Sequence, residues 1–407
     1  MYRSPFYRAA VLFVLILAMI MGIHLLARAD GGNTIYLPVV HRTFSCDVPS
    51  SGSGYQTIQS AVDGGCEIIH LTVSLYTENI IIDGHSVTIK GQGPDVTAIN
   101  GNANGSVFQV EAGSELWLED LTVTNGSADR GGGILNWGVT YLSNSVISGN
   151  SSHSPPGGGG IYNGGTLQIF DSQIIGNSAG SLGSCGGGIM NDAGDLLIEG
   201  VEIVGNVAGG LGGGICNTGF NSVIDVKNSL IANNNTKTSG GGVYSGSCDL
   251  SVIENSTISG NFAAYLAGGI SACNLELVNV TISQNDSSLL GGSVVSTGEI
   301  RMVNSILTDD PPGSICAADG SGEFTSLGHN IADDDSCNLN GPGDMPNTAP
   351  LLGPLQDNGG PTRTNALLPG SPAIDTADNA ACPATDQRGV IRPQGAGCDV
   401  GAYEYDG

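Results

Sequence analysis

The segment GGGIYNGGTLQIFDSQIIGN, residues 158–177, contains both of the sequence marks on which the fold of this chain depends. It begins with a glycine triplet followed by the branched Ile161, and it ends in an Ile-x-x-Asn segment that runs from Ile174 to Asn177. Between these marks, apolar and polar residues alternate with the period of two that is typical of β-strands. The polar pair Asp171-Ser172 interrupts the alternation, so the segment predicts short strands separated by turns.

Both marks recur at intervals close to 27 residues. The glycine mark, in full or weakened form, ends at Ile134, Ile161, Ile189, Ile215, Val243, Ile270 and Val294. The second mark ends at Asn150, Asn177, Asn206, Asn234, Asn261 and Asn285. A unit of about three short strands cannot bury its apolar face alone, whereas stacked units share one core and pair their backbones along the axis. We therefore predict an all-β fold, a right-handed parallel β-helix of nine or ten coils over residues 67–310.

Each mark has a structural interpretation. The glycines are expected at turns with positive φ, or where neighbouring coils approach closely. The six asparagines are expected to stack into an inward amide ladder that satisfies backbone groups at the same turn of each coil. A ligand-binding role for this row of amides is the alternative.

The N-terminal residues have the pattern of an export signal. Arg3 and Arg8 flank the start of an apolar run from Ala9 to Ile23, and Ala27-Arg28-Ala29 supplies a small-x-small cleavage site. We interpret residues 1–29 as a cleaved signal peptide and expect a secreted protein, either released or associated with the cell surface. An uncleaved anchor helix is the alternative, because the apolar run is almost long enough to span a bilayer.

The two ends of the repeat predict caps. Residues 30–66 are interpreted as a linker and an N-terminal cap, with a short helix at Thr57–Val62. After Asp310 no regular period survives, and residues 311–407 are interpreted as an irregular, disulfide-containing C-terminal cap or small domain. Solenoid ends need caps, because an open end leaves an unpaired sheet edge.

The chain is strongly acidic, with 12 Lys and Arg residues against 38 Asp and Glu residues and a formal net charge of −26. Removal of Arg3, Arg8 and Arg28 with the signal peptide changes this charge to −29. Such a surface repels nucleic acid, anionic lipid and, unless cations intervene, polyuronates. We expect a monomer with no nucleic-acid partner and no membrane span after cleavage, whose partner is an extracellular glycan or another cell-surface component.

All ten cysteines follow the signal peptide, and an even number of cysteines in an exported chain indicates disulfides. Neighbours in sequence give the pairs Cys46–Cys66, Cys185–Cys216, Cys248–Cys273, Cys316–Cys337 and Cys382–Cys398. No Cys-x-x-Cys motif or Cys/His cluster is present, which argues against zinc.

The repeat register predicts the Cys248–Cys273 bridge most directly. If Leu250 and Leu275 are equivalent positions in neighbouring coils, the two cysteines are stacked ~4.8 Å apart, a spacing that a disulfide accepts. Cys185 fits Cys216 less well, because the glycines align it with a position five residues before Cys216. The sequence therefore leaves open whether this pair forms a disulfide or two free thiols.

Two regions resemble known protein families. The glycine and Ile-x-x-Asn marks resemble the repeats of right-handed β-helix proteins of the pectate-lyase-like superfamily, and also polymorphic outer membrane protein repeats, in which Phe stands where this chain has Ile. Residues 350–377 and 385–405, PLLGPLQDNGGPTRTNALLPGSPAIDTA and TDQRGVIRPQGAGCDVGAYEY, resemble the choice-of-anchor Q domain. That resemblance implies a bacterial surface protein, although this sequence stops two residues after Tyr405 without a sorting motif.

The superfamily includes pectate lyases, so catalytic residues were sought. A lyase needs a base that abstracts a proton and acids that hold Ca²⁺ against the uronate. The basic residues within the repeat are scattered, and none is expected beside an acidic cluster at one-coil spacing; they are Lys90, Arg130, Lys227, Lys237 and Arg301. A glycosidase needs paired carboxylates across a cleft, and the adjacent Asp309 and Asp310 are interpreted as a solvated end of the repeat.

Other catalytic patterns fail for similar reasons. The histidines of the mature chain share no repeat phase; they are His41, His70, His85, His153 and His329. Residues 176–180, GNSAG, match the pattern of a nucleophile elbow, but they lie at a coil turn and not between a strand and a helix. We therefore expect no catalytic and no cofactor-binding residues.

Asp333, Asp334 and Asp335 are the candidate metal ligands, because Ca²⁺ takes oxygen donors, although a solvated acidic turn is the simpler interpretation. The leading functional hypothesis is a noncatalytic extracellular β-helix that acts in adhesion, glycan contact or envelope structure. The alternative is a carbohydrate-active enzyme, a polysaccharide lyase or glycoside hydrolase, on the same fold.

Overall fold

Successive coils of the chain stack their strands into three parallel sheets, which the alternation of apolar and polar residues had predicted. The computed structural model describes residues 43–49, 54–308 and 314–407. The expected signal peptide, most of the linker, His41 and Asp309-Asp310 lie outside the described residues. Among the residues that are described, no helix has the length and apolar character needed to cross a membrane.

Sheet 1 contains 20 strands in two columns, because most coils contribute two strands to it on either side of a bend. The first column, which follows the glycine marks, contains Ile80–Ile82, Phe108–Val110, Ile134–Asn136, Ile161–Asn163, Ile189–Asp192, Ile215–Thr218, Val243–Ser245, the first parts of Ile270–Val278 and Val294–Val303, and Cys316–Ala318. The second column contains Ser45–Val48, Ile68–Leu71, Ser86–Lys90, Glu115–Glu119, Val139–Ser143, Thr166–Phe170, Asp195–Glu199, Val223–Lys227, Ser251–Glu254, the last parts of the two long strands, and Glu323–Gly328.

Sheets 2 and 3 contain shorter strands. Sheet 2 has 11 strands, at Leu75–Thr77, Ala98–Asn100, Thr122–Thr124, Val146–Ser148, Gln173–Ile175, Glu202–Val204, Leu230–Ala232, Thr257–Ser259, Thr281–Ser283, Ile306–Thr308 and Ile331–Ala332. Sheet 3 has seven strands, at Ser127–Ala128, Ser151–Ser152, Ser178–Ala179, Val207–Ala208, Asn235–Thr236, Phe262–Ala263 and Asp286–Ser287. The protein is thus a right-handed β-helix of about eleven turns.

The period of two places alternate side chains inside. In the strand Thr166–Phe170, Leu167 and Ile169 are fully buried, whereas Gln168 between them is only partly buried. The equivalent apolar side chains of neighbouring coils stack in register and form one continuous core along the axis. The outward residues of sheet 1 are therefore the ones available for function.

The glycine triplets are required because neighbouring coils touch there through their backbones. Gly158 has a φ of +74°, which favours glycine. A Cβ atom on Gly159 would lie 2.5 Å from the carbonyl oxygen of Gly187 in the next coil. The backbones of successive triplets hydrogen-bond to each other, as in Gly160 N–H to Gly187 O at 3.2 Å.

The asparagines of the Ile-x-x-Asn segments form a buried amide ladder. The Asn177 Oδ1 accepts hydrogen bonds from the backbone N–H of Asn150 at 3.0 Å and from its Nδ2 at 3.1 Å. The Asn150 Nδ2 also donates to the Val123 carbonyl at 3.1 Å. The same pattern continues through Asn206, Asn234, Asn261 and Asn285.

A second amide ladder, which we did not predict, lies at the bend of sheet 1. Asn136, Asn163, Asn191 and Asn217 are fully buried, and each Nδ2 donates to the Oδ1 of the next member at 2.7–2.8 Å. Its sequence signal was present, since each asparagine stands two residues after the branched residue of a glycine mark.

The N-terminal cap contains the predicted short helix, α1, at Ile58–Asp63. Thr57 is its N-cap and shares a capping box with Ser60, which satisfies free N–H groups at the helix start. The helix buries Ile58 and Val62 against the first coils.

The predicted end of the repeat near residue 310 is too early. The strands Cys316–Ala318 and Glu323–Gly328 pair in parallel with Val294–Val303, and Ile331–Ala332 extends sheet 2. Parallel pairing needs only backbone groups in register, so this last coil forms without a glycine triplet or an Ile-x-x-Asn segment. Cys337 and Leu339 then join the main core and close the end of the solenoid.

The rest of the C-terminal region does not extend the axis but lies along the side of sheet 2. It contains one antiparallel pair, Leu352–Gln356 with Thr364–Leu367. The Gln387 Oε1 accepts a hydrogen bond from the Thr257 hydroxyl at 2.6 Å, and the Arg363 guanidinium pairs with Glu202, with Nη2 to Oε2 at 2.8 Å. Residues 311–407, predicted as one cap, therefore contribute a last coil, an end cap and a lateral layer.

Four disulfides are formed, Cys46–Cys66, Cys248–Cys273, Cys316–Cys337 and Cys382–Cys398. The register assumed for the second bridge is wrong by one residue, because Ser251 and not Leu250 pairs with Leu275. The turn before Ser251 holds extra residues, and these bring Cys248 to a Cα–Cα distance of 5.0 Å from Cys273. The fifth predicted bridge is absent: Cys185 and Cys216 are free, buried thiols.

Candidate functional site

An open recess of about 390 Å³ lies outside the first column of sheet 1, near the N-terminal end of the solenoid. Its floor is formed by the outward side chains Gln109 and Leu135, which belong to adjacent strands. Trp137 borders it at the bend, and Arg130 borders it from the loop before a glycine triplet. Gly105, Ser106, Ala128 and Asp129 complete the lining.

The position of Trp137 is fixed by the small residues around it. A Cβ atom on Gly164, in the next coil, would lie 2.5 Å from the indole Cζ3. The indole also packs against Tyr162, with ring centroids 5.1 Å apart and planes at 58°. Because the ring remains 38% exposed and lines the recess, Trp137 offers an aromatic surface to a ligand.

Arg130 is exposed and makes no ion pair with a described carboxylate. Its guanidinium carbon lies 5.6 Å from the centroid of the Tyr162 ring. The neighbouring Asp129 is engaged elsewhere, since its Oδ1 accepts from the Ser154 hydroxyl at 2.9 Å. The guanidinium also hydrogen-bonds to the Tyr162 side chain. Because a guanidinium has five N–H donors, Arg130 can still donate to a ligand oxygen.

Tyr162 supports both of these residues. Its hydroxyl donates to the Asp192 Oδ2 at 2.6 Å, which fixes the orientation of the ring. Burial, reinforced by the Asp192 carboxylate, raises the pKa of Tyr162 well above its usual value, so the hydroxyl stays protonated. The recess thus combines an aromatic face at a bend, a guanidinium on a loop and, on a strand, the Gln109 amide, which also donates to Glu111. This combination suits a sugar ring with its polar oxygens.

The other aromatic pair of sheet 1 has a structural role. Trp117 and Tyr141 face each other across adjacent second-column strands, with ring centroids 3.8 Å apart and an interplanar angle of 15°. The Trp117 Nε1 donates to Glu115 at 3.0 Å. Because the two rings stack on each other, this pair stabilises the pairing of the two strands.

One expectation about the basic residues is wrong. Lys227 lies directly between Glu199 and Glu254 in the register of three adjacent second-column strands. Its Nζ is 3.4 Å from Asp225 Oδ2, while the Oδ1 of that carboxylate is buried without a hydrogen-bond partner. Burial raises the pKa of the half-buried Glu254. A lysine with one carboxylate one coil away on each side and a third carboxylate on its own strand is therefore present.

The signal for this group is weak in the sequence. Each of the three stacked residues directly precedes the glycine or asparagine that ends the strand, at Gly200, Asn228 and Asn255. The number of residues between successive members of the group differs from coil to coil. The group is therefore recognised only from the strand pairing. Lys90 likewise meets Glu119 across one coil, at 2.7 Å.

The other candidate site residues make separate contacts and do not form one group. Asp334 accepts hydrogen bonds from the backbone of Ile315 and Ser336, and Asp333 accepts from the Thr308 hydroxyl. Within the described part of the chain, no three or more His, Cys, Asp or Glu side chains are grouped to hold a metal ion. Ca²⁺ binding at Asp333, Asp334 and Asp335 therefore stays a prediction.

The described histidines are likewise apart. The His329 Nδ1 contacts the Thr376 carbonyl at 2.7 Å, and the His153 Nε2 contacts the Ser127 hydroxyl at 2.8 Å at the surface. Among the described side chains, no carboxylate hydrogen-bonds to His153 to orient it as a catalytic base. Ser178 of the GNSAG segment lies in a short strand of sheet 3, away from any helix.

Comparison with solved structures shows the fold. A crystal structure of the pectate lyase Pel9A aligns with a TM-score of 0.55 and 14% sequence identity, over 88% of this chain and 96% of that chain. A pectin methylesterase from Aspergillus niger aligns with a TM-score of 0.31 and 14% identity, over 72% of this chain and 86% of its own. No protein-family model and no curated protein sequence matches this chain.

Proposed function

We propose that this chain is a secreted or cell-surface β-helix protein that binds a glycan in the Trp137 recess and does not cleave it. The observation that carries the proposal is that one recess is lined by the exposed Trp137, by Arg130, which makes no ion pair with a described carboxylate, and by Gln109. Aromatic faces bind the apolar side of sugar rings, while guanidinium and amide groups donate to their oxygens. The four disulfides support export to an oxidising compartment.

A glycan array with the purified chain tests this proposal. We expect the binding affinity to fall roughly tenfold or more in Trp137→Ala. Removal of a Trp side chain that anchors a ligand costs about 2 kcal/mol of binding free energy. Phe220→Ala is the matched control, since Phe220 is an aromatic residue at the equivalent bend of another coil and is 92% exposed. Equal loss in both variants, or no loss in Trp137→Ala, would contradict the assignment of the recess.

Gly164→Ala provides a second variant that keeps every recess side chain. Its new methyl group would displace the indole, because the Cβ position lies within 2.6 Å of two ring carbons of Trp137. We expect weaker glycan binding with an altered Trp fluorescence spectrum. Binding that is unchanged while the spectrum shifts would show that the ligand does not contact the ring.

The Lys227 group favours a second candidate function, a carbohydrate-active enzyme. A lysine flanked by carboxylates has the residue types that a lyase would use to abstract a proton and to hold Ca²⁺ against a uronate. The test is incubation with pectin, polygalacturonate and common β-glucans, with and without Ca²⁺. We expect no new chain ends; turnover that Lys227→Ala or Glu254→Gln abolishes would establish the enzyme instead.

The finer family assignment belongs to the same proposal. We propose that the coils are of the polymorphic outer membrane protein type and that the region after residue 350 is a choice-of-anchor Q domain. The lateral packing of this region on sheet 2 supports a module that is distinct from the coils. Cell fractionation of the native organism, followed by detection of the chain in envelope and medium, distinguishes retention from release.

A further inference from the structure

Two of the ten cysteines differ from the other eight because they form no disulfide. Eight are joined in four disulfides, while Cys185 and Cys216 are thiols. They are nevertheless neighbours, since both belong to one small buried cluster with Tyr162 and Met190. The two free thiols are therefore a pair.

The pair lies in a small buried cluster outside the first column of sheet 1. Cys216 is an outward residue of its strand and is the direct register partner of Met190. Cys185 ends the loop before the glycine triplet of the previous coil, and Tyr162 packs against the same cluster. A bond between the two sulfurs would thus join neighbouring coils.

The two thiols differ in access and acidity. Cys185 is 8% exposed and follows a loop whose Leu182 is 82% exposed, whereas Cys216 is fully buried. The hydrogen bond from Cys216 lowers the pKa of the Cys185 thiol. Burial raises the pKa of the Cys216 thiol well above its usual value. Cys185 is thus the better nucleophile and the more accessible of the two.

We propose that Cys185 is a thiol–disulfide exchange site for small-molecule disulfides such as glutathione disulfide, with Cys216 as its resolving thiol. The Cys185 thiolate attacks one sulfur of the small disulfide, so that a mixed disulfide forms and one small thiolate leaves and takes up a proton. Cys216 then loses its proton and attacks the Cys185 sulfur, which releases the second small thiol. One small disulfide is reduced to two thiols and the protein dithiol is oxidised to one disulfide.

The reaction gives a fifth bridge that is exchangeable, unlike a bridge formed once during folding. This exchange depends on the shared buried cluster and the unequal exposure of the two thiols, and it does not depend on glycan binding. The loop at Gly180–Ser184 has room to adjust, since a Cβ atom on Gly180 would meet its nearest neighbour only at 3.7 Å and one on Gly183 would meet nothing within 4 Å.

The test equilibrates the purified full chain with graded ratios of reduced to oxidised glutathione, followed by alkylation and mass spectrometry. Cleavage after Glu199 and Glu202 separates the two cysteines, which no Lys or Arg does. We expect Cys185 linked to Cys216 under oxidising ratios, and this bridge to open before the other four. Cys216→Ser is expected to accumulate a glutathione adduct on Cys185, whereas Cys185→Ser leaves Cys216 unmodified.

Two results would overturn the proposal. One is a pair that remains fully alkylatable at every ratio; the other is a Cys216 that takes the adduct in Cys185→Ser as readily as Cys185 does in Cys216→Ser. If a variant fails to fold, alkylation rates of the native wild-type chain decide instead. Cys185 must then react before Cys216, and equal rates would contradict the assigned roles.

Discussion

The asparagine side chains of the inward ladder join the backbones of neighbouring coils at a turn where no strands pair. The Asn234 Oδ1 accepts from the Asn206 backbone N–H at 2.9 Å, and its Nδ2 donates to the Ile203 carbonyl at 2.9 Å. The three residues that carry these groups, Ile203, Asn206 and Asn234, are buried. Each amide therefore satisfies a backbone donor and a backbone acceptor of the preceding coil.

Asn234→Ala should lower the free energy of unfolding by roughly 2–5 kcal/mol, because it leaves two buried backbone groups unsatisfied at about 1–3 kcal/mol each. Asn235→Ala is the matched control, since Asn235 is the next residue but its side chain is exposed. The control should change stability by less than about 0.5 kcal/mol. Urea denaturation of both variants measures the difference, and equal values would refute the ladder as a source of stability.

At the scale of residues, the sequence predicted the positions that recur in successive coils. It did not predict positions that depend on insertions in the turns. The six ladder asparagines were read directly from the Ile-x-x-Asn period. The register at Leu275 failed because the turn between Ser245 and Ser251 is longer than its counterpart after Ala272. Turn length is not encoded in the alternation, so spacing alone could not align Cys248 with Cys273.

The glycine triplets are the elements that set the distance between coils. A Cβ atom on Gly187 would lie 2.5 Å from the Gly213 carbonyl oxygen and 2.6 Å from the Val207 backbone. Backbone atoms of a paired coil cannot move aside as a flexible side chain can. A single methyl group should therefore separate two coils locally.

Gly187→Ala should destabilise the protein by about 1–3 kcal/mol or more through overpacking. Gly180→Ala is its control, because Gly180 lies in the same coil and its nearest neighbour to a new Cβ atom is the Ser178 hydroxyl at 3.7 Å. Thermal unfolding followed by circular dichroism compares the two. A Gly187→Ala variant as stable as its control would show that the coils are not in backbone contact.

Elements also explain why the candidate sites were hard to predict. Trp137, Arg130 and Gln109 come from a bend, a loop and a strand in different coils, and nothing in their local sequence marks them. Lys227 was considered, but its carboxylate neighbours emerge only when the strands of unequal coils are paired. The solenoid was predictable because it repeats, whereas its sites lie where the coils differ.

The described residues from Ser45 onward form a solenoid with a lateral C-terminal layer that contains buried charges. Asp399 lies in this layer and accepts hydrogen bonds from the backbone of Asp375 and Tyr405. Burial raises the pKa of Asp399 to about 6. In the unfolded chain the same carboxyl has a pKa of about 3.9, so folding is accompanied by proton uptake between these values.

It follows that stability increases as the pH falls from about 7 towards about 5, because the native state binds the proton more tightly than the unfolded state there. Glu254, whose pKa is also raised by burial, contributes in the same direction. Asp399→Asn should flatten this pH dependence of the urea midpoint. A variant with the same slope as wild type would mean that Asp399 does not take up the proton.

The central claim is that the chain binds a polysaccharide without cleaving it. The most direct test incubates the purified chain with the glycan that it binds best, and measures bound glycan and glycan chain length in the same samples over time. We expect saturable binding that Trp137→Ala weakens and Phe220→Ala does not, while the chain length stays constant. Progressive shortening of the glycan that ends on substitution of Lys227 would contradict the claim and make the protein an enzyme.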